Sequence, residues 1–262
     1  MGLTALLENE VVLVSSIDEG DLRKASRGNN LSCHFCLERI VYKHGQIKIP
    51  HFAHYTRNPD CDLSNETLEH LSGKLFMMKI LPKYNTLTAL TVEKIHDRRI
   101  YDVYAEMGSA KIAVELQHTV VSSESIEEKI NHASQSSIHV LYVLIPGKGY
   151  LNYETSRVEG RIIVKESELY LHRTYFGRVY YTNTQSIQSA HFLPATTYVE
   201  GREWYDSSGN QNSGGGYEKN LKSRRNLQWF YVFKHPETHR LRLTMNGDVR
   251  IATLSEGVFW KK

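Results

Sequence analysis

All three cysteines of the chain, Cys33, Cys36 and Cys61, fall within one 29-residue window, and the first two form the knuckle Cys33-His34-Phe35-Cys36. Two thiolates two residues apart can grip one tetrahedral metal ion, because the turn between them aims both sulfurs inward. Pro50-His51-Phe52-Ala53-His54 lies between the knuckle and Cys61. A histidine from it completes a Cys3His set, with His54 preferred and His51 as the rival. A closed set of four leaves no position open to substrate, so the expected ion is structural Zn2+, stapling a segment with little core of its own. A second constellation is acidic. Asp102 sits within Ile100-Tyr101-Asp102-Val103-Tyr104, and Glu115 follows Ile112-Ala113-Val114. An acid in an apolar strand has an energetic cost, and function is the usual reason to bear it. Two carboxylates converging at one point repel unless a cation sits between them. Hard oxygen ligands suit Mg2+ or Mn2+, which would polarise a phosphodiester and lower the pKa of a bound water. Glu69 is the expected third carboxylate.

The elements that must position these residues follow from periodicity. A helix starts near Ser64-Asn65-Glu66-Thr67 and carries apolar residues at helical spacing to Pro82, with Glu69, His70 and Lys74 on its polar flank. Three strand-like runs follow, Leu87–Ile95, Arg99–Ala105 and Lys111–Gln117, with a turn at Gly108-Ser109. If the last two pair as a hairpin, Asp102 and Glu115 come together, and period-two alternation puts residues 115 and 117 on one face. Ser122–His132 reads as a second helix and the apolar Ile138–Ile145 as a buried strand. The order over residues 64–146 is α-β-β-β-α-β. Upstream, residues 10–14 read as a strand, 15–30 as a polar loop, and 40–49 as a hairpin turning at Gly45. Beyond Pro146-Gly147-Lys148-Gly149 the chain becomes tyrosine-rich with short β-type runs, and Ser207–Gly216 reads as a mobile loop. Three regions are expected: a β-rich zinc knuckle (1–62), an α/β (α+β) core (63–148) and a β-rich aromatic and basic region (149–262).

Composition limits the classes available. Hydrophobic residues make up 40 % and charged residues 23 % of 262, as in an ordinary globular chain. No apolar run reaches the ~18 residues that a membrane helix needs. No basic segment followed by a long apolar stretch opens the sequence, so the expected compartment is the cytoplasm. The net charge of +3 is too small to argue for a nucleic-acid partner. Its distribution argues better: residues 218–250 hold eight Lys or Arg against three acids, interleaved with Trp229, Phe230, Tyr231 and Phe233. Basic side chains neutralise phosphates, and exposed aromatics stack on unpaired bases. Lys222, Arg224 and Arg225 are the leading candidates there, with Arg98 and Arg99 beside the acidic pair.

Taken together, these motifs resemble the CoiA-like competence-protein family, whose core is similar to PD-(D/E)XK (restriction-endonuclease-like) nucleases. The resemblance runs from the knuckle and the HFAH segment through Glu69-His70, Lys74, Arg99-x-x-Asp102-Val103 and Ala113-Val114-Glu115-Leu116-Gln117-His118 to Tyr175–Tyr180 and His191-Phe192. It implies a metal-dependent nuclease acting on DNA, in uptake, recombination or defence, with Asp102, Glu115 and the Leu116 carbonyl on the metal and Glu69 contributing directly or through water. The lysine usual in that superfamily two residues after the Glu is here Gln117, which can orient water but brings no charge. Lys74 could supply charge from the helix. His70 and His118 flank the site. Two other readings stay open: a catalytically silent nucleic-acid-binding module that keeps the fold, and a zinc-stabilised adaptor for a partner protein.

Overall fold

The computed structural model describes residues 1–46, 48–64, 66–83, 87–147, 149–150, 161–175, 177–194, 196–220, 227–234, 240–245, 248–253 and 258–260. The N-terminal part opens with β1 (Thr4–Leu7) and β2 (Glu10–Leu13), paired antiparallel. Residues 15–30, expected as a polar loop, contain a helix, α1 (Glu19–Arg27). Asp18 caps it by accepting the Gly20 N–H at 2.7 Å. Only Leu22 and Ala25 are buried from this helix, so its charged remainder masks the periodicity. Strand β3 (Leu31–Ser32) adds to β1, and β4 (Ile40–Lys43) pairs with β5 (His51–His54). A bridge between Gly2 and Phe52 joins the two small sheets.

The central unit follows the expected order. Helix α2 (Leu68–Ile80) is capped by Thr67, which accepts the His70 N–H. Strands β6 (Leu87–His96), β7 (Arg99–Met107) and β8 (Ala110–Gln117) form an antiparallel meander. The β6–β7 turn places Asp97 (φ 47°) and Arg98 (φ 62°) in left-handed conformation, as a two-residue hairpin requires. Gly108 (φ 60°) serves the β7–β8 turn, where a Cβ would be strained. Helix α3 (Ser123–Gln135) then crosses over to β9 (Ile138–Leu144), which lies parallel to β8 and is buried along its whole length. Such a crossover needs a helix, because parallel neighbours cannot be joined by a tight turn. Helix α2 packs close to the sheet at Gly73, where a Cβ would come within 3.2 Å of the Ile145 and Leu116 side chains.

The sheet does not stop at the boundary expected near residue 148. Beyond β10 (Arg161–Ile163) and α4 (Glu166–Thr174), strand β11 (Val179–Thr182) pairs parallel to β9, and β12 (Ile187–Pro194) pairs with β11. After β13 (Thr196–Val199), β14 (Arg202–Tyr205), β15 (Gln211–Gly214) and β16 (Tyr217–Asn220) come β17 (Leu227–Lys234), β18 (Arg240–Met245), β19 (Asp248–Thr253) and β20 (Val258–Trp260). Strand β17 joins β12 and β10, and β18 meets β9 at Val140. The segment expected as a mobile loop, 207–216, instead holds β15, paired with β14 about a turn in which Asp206 accepts the Ser208 and Asn210 N–H groups.

Candidate active site

The acidic pair sits where two strands part. Regular pairing of β7 with β8 ends at Val103 opposite Val114, and the next step of that register sets Asp102 against Glu115. There the Leu116 N–H donates to Asp102 Oδ2 at 2.8 Å, so a side chain substitutes for the backbone ladder. Both acids are buried. They line a cleft of about 240 Å³ with Asp62, Glu66, Thr67, His70, Ile100, Leu116, Gln117, His118, Thr119 and Lys129.

The third carboxylate differs from the expectation. Glu69 is exposed and lies outside the cleft lining. Glu66 takes the inner place, with His70 Nδ1 at 3.3 Å from its Oε1, while His70 Nε2 lies 3.0 Å from Asp102 Oδ2. His70 and Lys74 stand one turn apart on α2, and Glu66, just before the Thr67 cap, meets both, whereas Glu69 is turned roughly 100° away from His70. Ligand atoms of Glu66, His70 and Asp102 all lie within 4.8 Å of one another.

Lys74 also departs from its expected role. It is fully buried, so it cannot touch nucleic acid. Its Nζ contacts Glu66 Oε1, Glu93 Oε1 at 3.0 Å and Asp102 Oδ1 at 3.4 Å. Lys129, on α3, pairs with Glu115 Oε2 and brings the positive charge that the neutral Gln117 lacks. Gln117 lines the cleft, and its Nε2 donates to the Thr119 carbonyl at 2.8 Å. His118 Nδ1 lies 3.2 Å from Thr67 Oγ1 at the cleft wall. Arg98 is exposed at the tip of the β6–β7 hairpin and Arg99 is half-buried beside it; neither lines the cleft, although Ile100 and Asp102 of the same strand do. Lys222, Arg224 and Arg225 lie outside the described residues.

The electrostatics follow from burial and crowding. Burial works against the Asp102 charge, but His70 and Lys74 beside it hold its carboxyl well below the usual carboxylate range. Burial likewise opposes a charged His70, yet Asp102 and Glu66 lift its pKa to about 10. Burial pushes Glu115 up to about 7, with Lys129 opposing and Asp102 reinforcing that shift. Lys129 is desolvated too, and Glu115 and Asp102 keep it charged. Four carboxylates (Glu66, Glu93, Asp102, Glu115) thus face three cations (His70, Lys74, Lys129). Among the described residues, Glu66 Oε2 and Glu115 Oε1 are buried without a hydrogen-bond partner. Unpaired buried carboxylate oxygens are costly, and a cation is the ligand they lack. The donor set therefore fits a hard divalent ion.

The second cluster forms beneath β3 and β5. Cys33, Cys36, His54 and Cys61 bring their ligand atoms within 4.8 Å of one another. Cys33 and Cys61 sulfurs are 3.8 Å apart, and Cys36 Sγ is 3.2 Å from His54 Nε2. Two sulfurs bound tetrahedrally at about 2.3 Å lie roughly 3.8 Å apart, so the set fits a closed metal site. His51 is buried, turned to the Ile49 carbonyl at 2.8 Å, and stands outside the group. Burial pushes the Cys33 and Cys61 thiols up, while N–H groups of Cys36 and Phe35 point at Cys33 and favour its thiolate.

Residues 14–64 match the N-terminal domain of competence protein CoiA, and residues 66–196 match its nuclease-like domain. The chain belongs to the CoiA competence-protein family. No curated protein matches the chain. The family's N-terminal domain thus spans the Cys3His cluster and contributes Asp62 and Leu63 to the cleft, and its nuclease-like domain holds the rest of the cleft lining and continues through β12. Glu66, Glu93 and Lys129 had escaped the sequence reading. Glu66 precedes the Thr67 cap, so helical spacing from His70 and Lys74 gave no dependable signal for it. Lys129 stands between the core residues Ile126 and Ile130 of α3, where nothing in sequence separates it from a solvated lysine.

Proposed function

We propose that this chain is a metal-dependent nuclease that hydrolyses phosphodiester bonds in DNA, with the acidic cleft as its active site. The observation that carries this reading is the burial of Asp102 beside Glu115 where β7 and β8 part, with Glu115 Oε1 left unpaired. Asp102 and Glu115, with the Leu116 carbonyl and Glu66, would hold Mg2+ or Mn2+, which when bound polarises phosphate oxygens and lowers the pKa of water. His70 keeps Asp102 oriented and ionised from the α2 side. Lys129 supplies the positive charge that offsets charge developing on the phosphate, and Gln117 orients water by hydrogen bonding. The Cys3His cluster holds structural Zn2+.

The test is to incubate purified protein with single-stranded DNA, duplex DNA and RNA under Mg2+, Mn2+ or EDTA. Metal-dependent DNA cleavage that disappears in Asp102→Ala and in Glu115→Ala is the expected result. Salt-sensitive binding with no cleavage under any metal would overturn the catalytic reading and leave a binding module.

A further inference from the structure

We infer that Glu93 is a positioning residue that links the Cys3His knuckle to the acidic cleft through Lys74, Thr4 and His34. The inference rests on the cleft being a metal-dependent active site. Glu93 is buried on β6 and lies outside the cleft lining, so it cannot meet a substrate. The pairs Val92–Val103 and Lys94–Tyr101 bracket it opposite Asp102. Its backbone adopts φ 54°, a left-handed conformation that a glutamate within a strand rarely takes. Such outliers persist where surrounding contacts over-determine them.

Those contacts come from both parts of the molecule. On the N-terminal side, Glu93 Oε1 accepts the Leu3 N–H at 2.8 Å, and Oε2 accepts the Thr4 N–H at 3.0 Å and the Thr4 hydroxyl at 2.5 Å. His34, inside the metal knuckle, reaches the same place: Nδ1 lies 3.1 Å from Thr4 Oγ1 and Nε2 lies 3.1 Å from the Glu93 carbonyl. On the cleft side, Glu93 Oε1 takes one face of the Lys74 ammonium, whose other contacts are Glu66 and Asp102. The ammonium donates to Glu66 and Glu93, while Asp102 stands at ion-pair distance, 3.4 Å away. Release of the Glu93 contact would let Lys74, already on Glu66, close the 3.4 Å gap to Asp102 and occupy oxygens a divalent ion needs. The ordered knuckle thus sets how closely Lys74 approaches Asp102.

Thr4→Val tests this in the full chain, because it removes the hydroxyl donor at nearly constant shape, and Thr4→Ser restores it. The two readouts are cleavage kinetics and hydrogen exchange of the Leu116 amide, which reports the Asp102 position whether or not the protein cleaves DNA. Thr4→Val is expected to lower kcat and to speed Leu116 exchange, each by about tenfold, with KM for DNA unchanged, since outer partners of metal ligands commonly act at that level. Thr4→Ser should match the parent, and the Val114 amide inside the ladder should not change. Parent-like kcat and Leu116 exchange in Thr4→Val would overturn the inference, as would a rise in exchange shared equally by Val114. If the parent cleaves nothing yet Leu116 exchange responds to Thr4→Val, the nuclease reading fails and the link stands.

Discussion

At the scale of single residues, two glutamates at the start of α2, one on either side of its Thr67 cap, separate a cleft acid from a surface acid. Glu66 bonds His70 and Lys74 from within the cleft, whereas Glu69, three residues on, faces water. Glu66→Gln is therefore expected to reduce DNA cleavage by about 10- to 100-fold through weaker metal binding, while Glu69→Gln stays within about twofold of the parent. Cleavage rates across a Mn2+ titration check both; equal losses in the two variants would refute the assignment. Charge on the other side of the cleft poses a similar choice. Lys129 pairs with Glu115, and Gln117 spends its amide on Thr119. Lys129→Gln should slow single-turnover cleavage by roughly 100-fold, because it removes preorganised charge from a site of low dielectric. Gln117→Ala should cost less, and the reverse order would return the main role to position 117.

At the scale of elements, the α-β-β-β-α-β order was legible because each member carries a strong periodic signal or ends at a turn residue such as Gly108. Strand register then brought Asp102 to Glu115, since period-two alternation leaves little freedom once the hairpin turn is known. Helix α1 was not legible, because only Leu22 and Ala25 mark its buried face. Nor was the β14–β15 hairpin, whose Gly, Ser and Asn content reads as loop although Asp206 organises its turn. Glu66 was hidden by the helix boundary: it precedes the Thr67 cap, where side-chain direction cannot be inferred from spacing alone. The knuckle was legible in its cysteines, whereas the choice of His54 over His51 needed the β4–β5 hairpin to turn one imidazole toward the sulfurs. That geometry predicts a local dependence on metal. Cys36→Ser should abolish stoichiometric zinc and lower the opening free energy of amides in residues 31–61 by several kcal/mol, as seen by hydrogen exchange. Amides of β7, β8 and β9 should keep their protection; an unaltered 31–61 segment would show that the thiols are not metal ligands.

At the scale of the whole molecule, no helix among the described residues is long and apolar enough to cross a membrane, and the central sheet runs through what composition suggested was a boundary. Composition changes after residue 149, yet sheet hydrogen bonding continues from β9 to β11. Tyr175, between α4 and β11, secures this seam. Its ring is fully buried, its hydroxyl accepts the Tyr142 N–H at 2.8 Å and donates to the Val140 carbonyl at 3.2 Å. Burial pushes its phenol far above the usual range, so it remains a neutral donor. Removing that hydroxyl orphans a backbone N–H and weakens the satisfaction of a carbonyl on β9, a strand buried along its whole length. Tyr175→Phe is therefore expected to destabilise the protein by about 1–3 kcal/mol, the cost of an unpaired buried polar group. A chain ending at residue 148 should fare worse, because β9 would lose its β11 and β18 partners and present an unpaired, largely apolar edge to solvent. It should be recovered as aggregate or without a cooperative melt, while the full chain melts in a transition that includes β9 and β11 together. A soluble, monomeric 1–148 chain with a cooperative transition and native near-ultraviolet circular dichroism would establish the central unit as independent, and the seam at Tyr175 as a later addition that the core does not need.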